Sequence, residues 1–282
     1  MPPRPYSSGS ATDAAACEVT SPSDAAVDAA AARLLTASAT GTPVPPMRDL
    51  LDATDLKTAY AIQERLTATR LAGGARIVGR KIGLTSKAVQ EQIGVDTPDF
   101  GVLFDDMAYA SGDVIPAGAI LQPRAEAEIA FVLAADLADG DLSYDQVREA
   151  IDYAVAAIEI CGSRIADWKI SFGDTVADNA SAGAYVLGTE RRRLDEFEPK
   201  DVSMSMSIDD EEVSTGTGAA CLGDPVNAVQ WLARYARDFG EPLRAGQLIL
   251  SGALGPMRPI ALGNTVRSTV SGLGSVAFSV GK

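Results

Sequence analysis

Three glutamates and one lysine have the types and spacing to do chemistry. Glu126 and Glu128 lie two residues apart in Gln122-Pro123-Arg124-Ala125-Glu126-Ala127-Glu128-Ile129-Ala130-Phe131-Val132-Leu133. On a strand, residues two apart share a face, with Cα atoms about 7 Å apart. Carboxylates so placed repel unless a cation or a proton lies between them. A solvated strand face is the ordinary setting for Glu-x-Glu, but Ala-rich and then strongly apolar flanks point to an enclosed one. Glu159 lies in Ala156-Ala157-Ile158-Glu159-Ile160-Cys161, where an unpaired charge costs several kcal/mol. Either that segment is amphipathic with Glu159 outward, or it is buried and Glu159 is paired. Lys81 follows a strand-like run and precedes the glycine-containing turn Ile82-Gly83-Leu84-Thr85-Ser86. It is either an ordinary surface lysine or a cation placed to hold a substrate carboxylate or oxo group.

The chain of 282 residues contains no histidine. Ser-His-Asp and Cys-His nucleophile systems and a His-ligated zinc are therefore excluded. Acid–base work falls to carboxylates, Lys, Tyr, Cys or metal-bound water. A metal would take mainly oxygen ligands, which points to Mg²⁺, Mn²⁺ or Ca²⁺. Three carboxylates on such an ion leave positions for water and substrate, and a 2-oxo acid can chelate through its carboxylate and 2-oxygen.

Lys and Arg number 24 against 38 Asp and Glu, for a formal charge of −14. That balance argues against a nucleic-acid partner, because phosphate binding needs concentrated Lys and Arg. No apolar run approaches the roughly 20 residues of a membrane span, and no secretory leader is evident. Three cysteines, Cys17, Cys161 and Cys221, form neither a disulfide framework nor a zinc ribbon. They fit a reducing cytoplasm, with Cys161 and Cys221 read as inert core thiols.

The elements that must position these residues follow from pattern. Residues 1–22, rich in Pro, Ser, Ala and Thr, read as a disordered arm. Residues 23–75 read as a helical segment and 76–282 as a β-rich catalytic core. Ser23 is placed to cap a helix to about Leu35, broken by Gly41-Thr42-Pro43. A second helix runs from Asp55 to Leu71, with Leu56, Tyr60, Leu66 and Leu71 on one side and Gly73-Gly74 after it. Ile77–Ile82 reads as a strand, and Ser86 as the cap of a short helix ending at Gly94. Ala119–Leu133 is the clearest strand region. Ser143 with Gln146 forms a capping box for a helix to about Tyr153. Val155–Cys161 either extends that helix or is a buried strand. Val202–Ile208 and Glu212–Thr217 form a hairpin about Asp209-Asp210, and Asp224-Pro225 starts a helix carrying Val226, Val229, Trp231, Leu232 and Tyr235. Strands follow at Gln247–Ser251, Thr265–Val270 and Ser275–Val280. Helices first and then mostly strands indicate α+β.

Four ordered motifs resemble one family. They are Lys81-Ile82-Gly83-Leu84-Thr85-Ser86, Pro98-Asp99-Phe100-Gly101, Gln122-Pro123-Arg124-Ala125-Glu126-Ala127-Glu128 and Thr175-Val176-Ala177-Asp178-Asn179-Ala180-Ser181. They are similar to those of the 2-hydroxypenta-2,4-dienoate (2-keto-4-pentenoate) hydratases of the fumarylacetoacetate hydrolase superfamily, which sit beside the 4-oxalocrotonate decarboxylases. The likeness runs from about residue 30 to the C-terminus, and Trp168-Lys169-Ile170 favours hydratase over decarboxylase.

The resemblance implies a β-rich core of the fumarylacetoacetate hydrolase type and Mg²⁺ or Mn²⁺ bound by Glu126, Glu128 and Glu159. It implies Lys81 and Asp99 as catalytic groups, Ser181 near the substrate, and Gln122 at the head of the metal strand as a substrate-side residue. It also implies a cytoplasmic homo-oligomer acting on a 2-oxo or 2-hydroxy-dienoic acid in meta-cleavage breakdown of aromatics or steroids. Association with a sibling decarboxylase or a downstream aldolase belongs to the same picture. Two readings stay open: a sibling decarboxylase, with Arg124, Arg164 or Arg191 for a second carboxylate, and a non-catalytic subunit of such a complex. A plain acidic metal-binding module is a third. Hydrolases of this superfamily resemble one another in using a His-carboxylate pair, so a chain without histidine does not fit that branch.

Overall fold

The computed structural model describes residues 24–87, 90–91 and 94–282. The expected arm, the Ser23 cap and Cys17 lie outside the described residues. Two helices come first. α1 (Asp24–Thr40) runs further than expected and stops where Gly41 takes a left-handed φ of +67°. α2 (Leu56–Ala72) begins at Asp55, whose carboxylate accepts the Thr58 amide, and ends at Gly73. Its buried face is Ala59, Tyr60, Ile62 and Gln63, and Leu71 is exposed.

The core holds two sheets. The first contains β1 (Ile77–Gly83), β2 (Asp99–Phe104), β3 (Ala108–Ala110), β5 (Arg124–Leu133), β6 (Ile151–Cys161), β7 (Ala182–Leu187), β10 (Leu248–Ala253) and β11 (Arg258–Pro259). Its order is β2-β1-β10-β5-β6-β7-β3, with β11 added to β5. The second contains β4 (Val114–Ile115), β8 (Ser203–Ile208), β9 (Glu211–Thr217), β12 (Thr265–Val270) and β13 (Gly274–Val280), in the order β4-β13-β12-β8-β9. Most pairings are antiparallel, but β1 pairs with β10, β3 with β7, and β13 with β4 in parallel. The larger sheet curls until β2 touches β7. Leu103, Leu248, Leu250, Ala130, Val155, Ala157 and Tyr185 pack together as one apolar cluster. This is the α+β architecture that the element order predicts.

Three local outcomes differ from the sequence pattern. The strand begins at Arg124 rather than Ala119, because Gly118 and Gln122 take positive φ (75° and 50°) and Pro123 offers no N–H. α3 (Tyr144–Glu149) is capped by Ser143, but Gln146 turns its side chain to Leu142 and Asp139 instead of closing a box. It stops at Glu149, and the apolar run becomes β6 because ten residues of β5 pair with it in register. Both strands are buried along nearly their whole length, as central strands covered on two faces are.

α4 (Phe172–Ala177) packs on α2. Gln63 of α2 joins the layers by donating to the carbonyls of Phe100 (3.0 Å) and Val176 (2.9 Å). The Asp209-Asp210 turn has φ of 50° and 68°, as a two-residue hairpin loop requires. α5 (Pro225–Asp238) is capped by Asp224, which also accepts the Tyr144 hydroxyl. Tyr60 stacks on Phe100 at 4.7 Å, while Trp231, Tyr235 and Phe239 stack along α5 and close over them. Among the described residues no helix is long and apolar enough to cross a membrane.

Candidate active site and metal centre

The antiparallel register of β5 and β6 sets Glu126 directly opposite Glu159. Glu128 lies one strand repeat further along the same face of β5. Lys81 reaches them from β1 across β10, through the register Lys81 to Leu250 to Ala130. Its Nζ lies 3.3 Å from Glu159 Oε1 and donates to the Ala180 carbonyl at 2.9 Å. Glu159 is therefore buried and paired, and Lys81 is no surface lysine: they are 0% and 2% exposed.

Asp99 enters from β2, opposite Gly83 of β1. A Cβ built on Gly83 would lie 2.2 Å from Asp99 Oδ1 and 3.3 Å from Lys81 Nζ, so the missing side chain is what lets the two groups face each other. Asp99 Oδ2 accepts the Thr175 hydroxyl at 3.3 Å, and Thr175 shares a further 3.3 Å bond with Ser181. These three form one buried polar chain. Thr175 was not singled out from the sequence, since a threonine before an Asp-Asn turn carries no distinguishing pattern.

The 179–181 turn takes three consecutive left-handed residues, Asn179, Ala180 and Ser181, with φ of 56°, 48° and 57°. Such a run costs of order 1–2 kcal/mol per residue. It is held in place at both ends. The Asn179 side chain imitates a strand partner, accepting the Val102 amide at 2.7 Å and donating to the Val102 carbonyl at 2.9 Å. Arg164 pairs with buried Asp178 and donates to the carbonyls of Asp178 and Ala182. This conformation aims the Ala180 carbonyl at Lys81.

Electrostatics mark the cluster as built for a cation. Burial pushes the Lys81 ammonium down, but the charges of Glu159, Cys161, Asp99 and Glu126 reverse this and hold it well above the ordinary lysine range. Burial raises Asp99, against the pull of Lys81 and the Thr175 hydrogen bond. Burial raises Glu128 well above the carboxylate range, helped by Glu159 and Glu126. Burial lifts Glu159 to about 7, opposed by Lys81. Glu128 Oε2 accepts the Gly252 amide at 2.8 Å, while its Oε1, both oxygens of Glu159 and Asp99 Oδ1 have no hydrogen-bond partner among the described residues. Three of these buried oxygens have no donor and Glu159 Oε1 has only its ion pair with Lys81, an arrangement that fits a divalent cation supplying the missing charge. The donor atoms of Glu126, Glu159 and Cys161 lie within 4.8 Å of one another, with Glu128 beside them.

Gln122 does not join this group. Its Nε2 donates to the carbonyls of Ser163 (2.8 Å) and Ile165 (2.7 Å), and its Oε1 accepts the Asp167 amide at 2.8 Å. Its backbone carbonyl takes the Trp168 indole N–H. Both ends of the side chain thus tie down the 163–168 loop. The three arginines considered for a second carboxylate are likewise engaged: Arg124 lies over Trp168, Arg191 over Tyr153, and Arg164 holds Asp178.

Comparison with known proteins places this geometry. Residues 76–281 match the family model for the fumarylacetoacetate (FAA) hydrolase C-terminal domain. The chain is 51% identical over 257 residues to the TodF product hydratase of Pseudomonas putida F1, covering 91% of this chain and 96% of the relative. It is 52% identical over 247 residues to a 2-keto-4-pentenoate hydratase of Paraburkholderia xenovorans LB400, covering 88% and 92%. In structure it is similar to the 4-oxalocrotonate decarboxylase of Pseudomonas putida G7 complexed with magnesium and adipate, with a TM-score of 0.86, 32% identity, and coverage of 90% and 97%. The chain belongs to the fumarylacetoacetate hydrolase family, on its 2-keto-4-pentenoate hydratase branch.

Proposed function

We propose that the protein hydrates 2-hydroxypenta-2,4-dienoate to 4-hydroxy-2-oxopentanoate, in the cytoplasm, using a divalent metal ion. One observation carries the reading: a buried lysine faces a group of carboxylates whose oxygens lack donors, on a chain half identical to hydratases over most of its length. Glu126, Glu128 and Glu159 are the proposed ligands, with Mg²⁺ or Mn²⁺ as the ion; the structural relative holds magnesium. When bound, such an ion polarises the substrate's 2-oxygen and favours charge build-up there.

The chain's own groups do the rest. The Lys81 ammonium binds the substrate's anionic oxygens and stabilises charge on the 2-oxygen. The dienol O–H proton is lost and C5 gains one, giving the α,β-unsaturated ketone. Water then adds at C4 as C3 takes up a proton. Asp99 lies within the Asp99–Thr175–Ser181 chain and is the group assigned to orient that water and carry its proton. Gln122 is assigned to positioning the 163–168 loop. Residues 76–282 are taken as the catalytic core. A homo-oligomer, and association with a sibling decarboxylase or a downstream aldolase, belong to the same reading.

Decarboxylation of a longer dicarboxylic substrate is the alternative. It needs a basic group for the second carboxylate, and the three arginines considered are engaged elsewhere. Assay of the purified chain with 2-hydroxypentadienoate and with 2-oxohexenedioate separates the two. Glu126→Gln should abolish both turnover and metal dependence. Normal hydration by that variant in chelator-treated buffer would sink the metal assignment. Faster turnover of the dicarboxylate, with CO₂ release, would overturn the hydratase reading.

A further inference from the structure

Cys161 follows Glu159 by two residues on β6 and so shares its face. It is 4% exposed, and its thiol donates to Glu126 Oε1 at 3.5 Å. Its Sγ and one oxygen each from Glu126 and Glu159 all lie within 4.8 Å of one another. Glu159 supplies an independent sign of a ligand at this spot: it is 0% exposed, and its Oε2 has no hydrogen-bond partner among the described residues. Cys221 gives the contrast. It is equally buried, but its thiol donates to the Ser251 carbonyl at 3.0 Å, as an inert core thiol does.

We infer that Cys161 is a sulfur donor to the metal centre whenever a thiophilic divalent ion such as Zn²⁺, Co²⁺ or Cd²⁺ takes the place of Mg²⁺ or Mn²⁺ there. The inference rests on the metal-site reading given under Proposed function. As the S–metal bond forms, the thiol proton leaves to solvent, and nothing is oxidised. Carboxylates alone suit Mg²⁺ and Mn²⁺, while a thiolate selects softer ions. Cys161 is thus the side chain that lets softer ions compete for a centre otherwise made of hard oxygens. A serine or alanine there would leave the oxygen ligands and remove the bias.

The test is a titration of the chelator-stripped full chain with Co²⁺. Near-ultraviolet thiolate-to-cobalt charge transfer and the visible d–d bands are read together for wild type, Cys161→Ser, Cys161→Ala and Cys221→Ser. The expected result is a charge-transfer band that saturates at a single Co²⁺ per chain, survives in the Cys221 variant and is lost in both Cys161 variants. Those two variants still bind Co²⁺ by their d–d bands. Their Cd²⁺ affinity falls by at least about tenfold, while Mn²⁺ affinity moves by less than about threefold. Should both Cys161 variants fail to fold, the ¹¹³Cd shift of wild type decides, since a sulfur ligand moves it far from the all-oxygen range. Bound Co²⁺ without the band, a band that persists without Cys161, or an all-oxygen ¹¹³Cd shift overturns the inference and leaves the carboxylate site intact. A wild-type chain that binds neither Co²⁺ nor Mn²⁺ overturns the metal-site reading itself, and this inference with it.

Discussion

Gly83→Ala tests whether Asp99 acts through its placement. The added methyl would sit 2.2 Å from Asp99 Oδ1, and no real contact of this kind is shorter than 3.0 Å. The carboxylate must therefore retreat by about 1 Å, a displacement that can cost on the order of 100-fold in rate. Asp99 is 1% exposed, so its main freedom is rotation that weakens the 3.3 Å bond from Thr175. Overpacking of a buried site costs about 1–3 kcal/mol, which lowers the melting temperature without unfolding the chain at 25 °C. The assay is the loss of dienoate ultraviolet absorbance at saturating metal, with thermal melts alongside. If displacement of Asp99 is the route, Gly83→Ala should add little to the loss in Asp99→Asn, because the two changes disable one group. Wild-type kcat/KM in a Gly83→Ala protein of lowered Tm would refute the reasoning. So would losses that multiply in the double variant.

Other outcomes follow from the buried charges. Burial lifts Glu159 from the ordinary carboxylate range to about 7, so the folded chain holds a proton that the unfolded chain releases near 4.5. Stability of chelator-treated protein should therefore fall as pH rises from about 4.5 to 7, and Glu128, also held well above the carboxylate range, adds to the decline. Excess Mg²⁺ should flatten the decline; a melting temperature that climbs across this window in chelator counts against the assignment. Arg164→Met would leave Asp178 buried without its cation, with only the residue-164 amide still donating to it. The expected cost is about 3–5 kcal/mol in urea unfolding, and a loss under 1 kcal/mol would show the pair to be dispensable.

The sequence made the strands of the site legible because their side chains carry both pattern and chemistry. Period alone aligns Glu126 with Glu128, while Glu159 joins them only through the family resemblance; Asp224-Pro225 and Asp209-Asp210 announce their helix and turn locally. β2, β7 and α4 were not read, because Asp99–Phe104, Ala182–Leu187 and Phe172–Ala177 owe their states to distant partners. Asn179 illustrates the limit. Its side chain completes a pairing with Val102 that nothing in the neighbouring sequence signals. The contacts of Gln122 are hidden for the complementary reason: it precedes the metal strand in sequence, and with its positive φ it bonds to the 163–168 loop. Cys161 read as core filling because burial was visible and the neighbouring carboxylate was not.

Lys81 sits on β1, which pairs with neither of the strands that carry the glutamates. β10, formed late in the chain, is wedged between β1 and β5. During synthesis both strands emerge well before it, by on the order of ten seconds at ribosomal rates. For that interval two long apolar strands present open edges, and edges of this kind recruit other chains. The ammonium and the carboxylates meet only when β10 slots in between. Capture of a metal ion should therefore be among the final events of folding, and its onset would time the insertion of β10 in a refolding experiment.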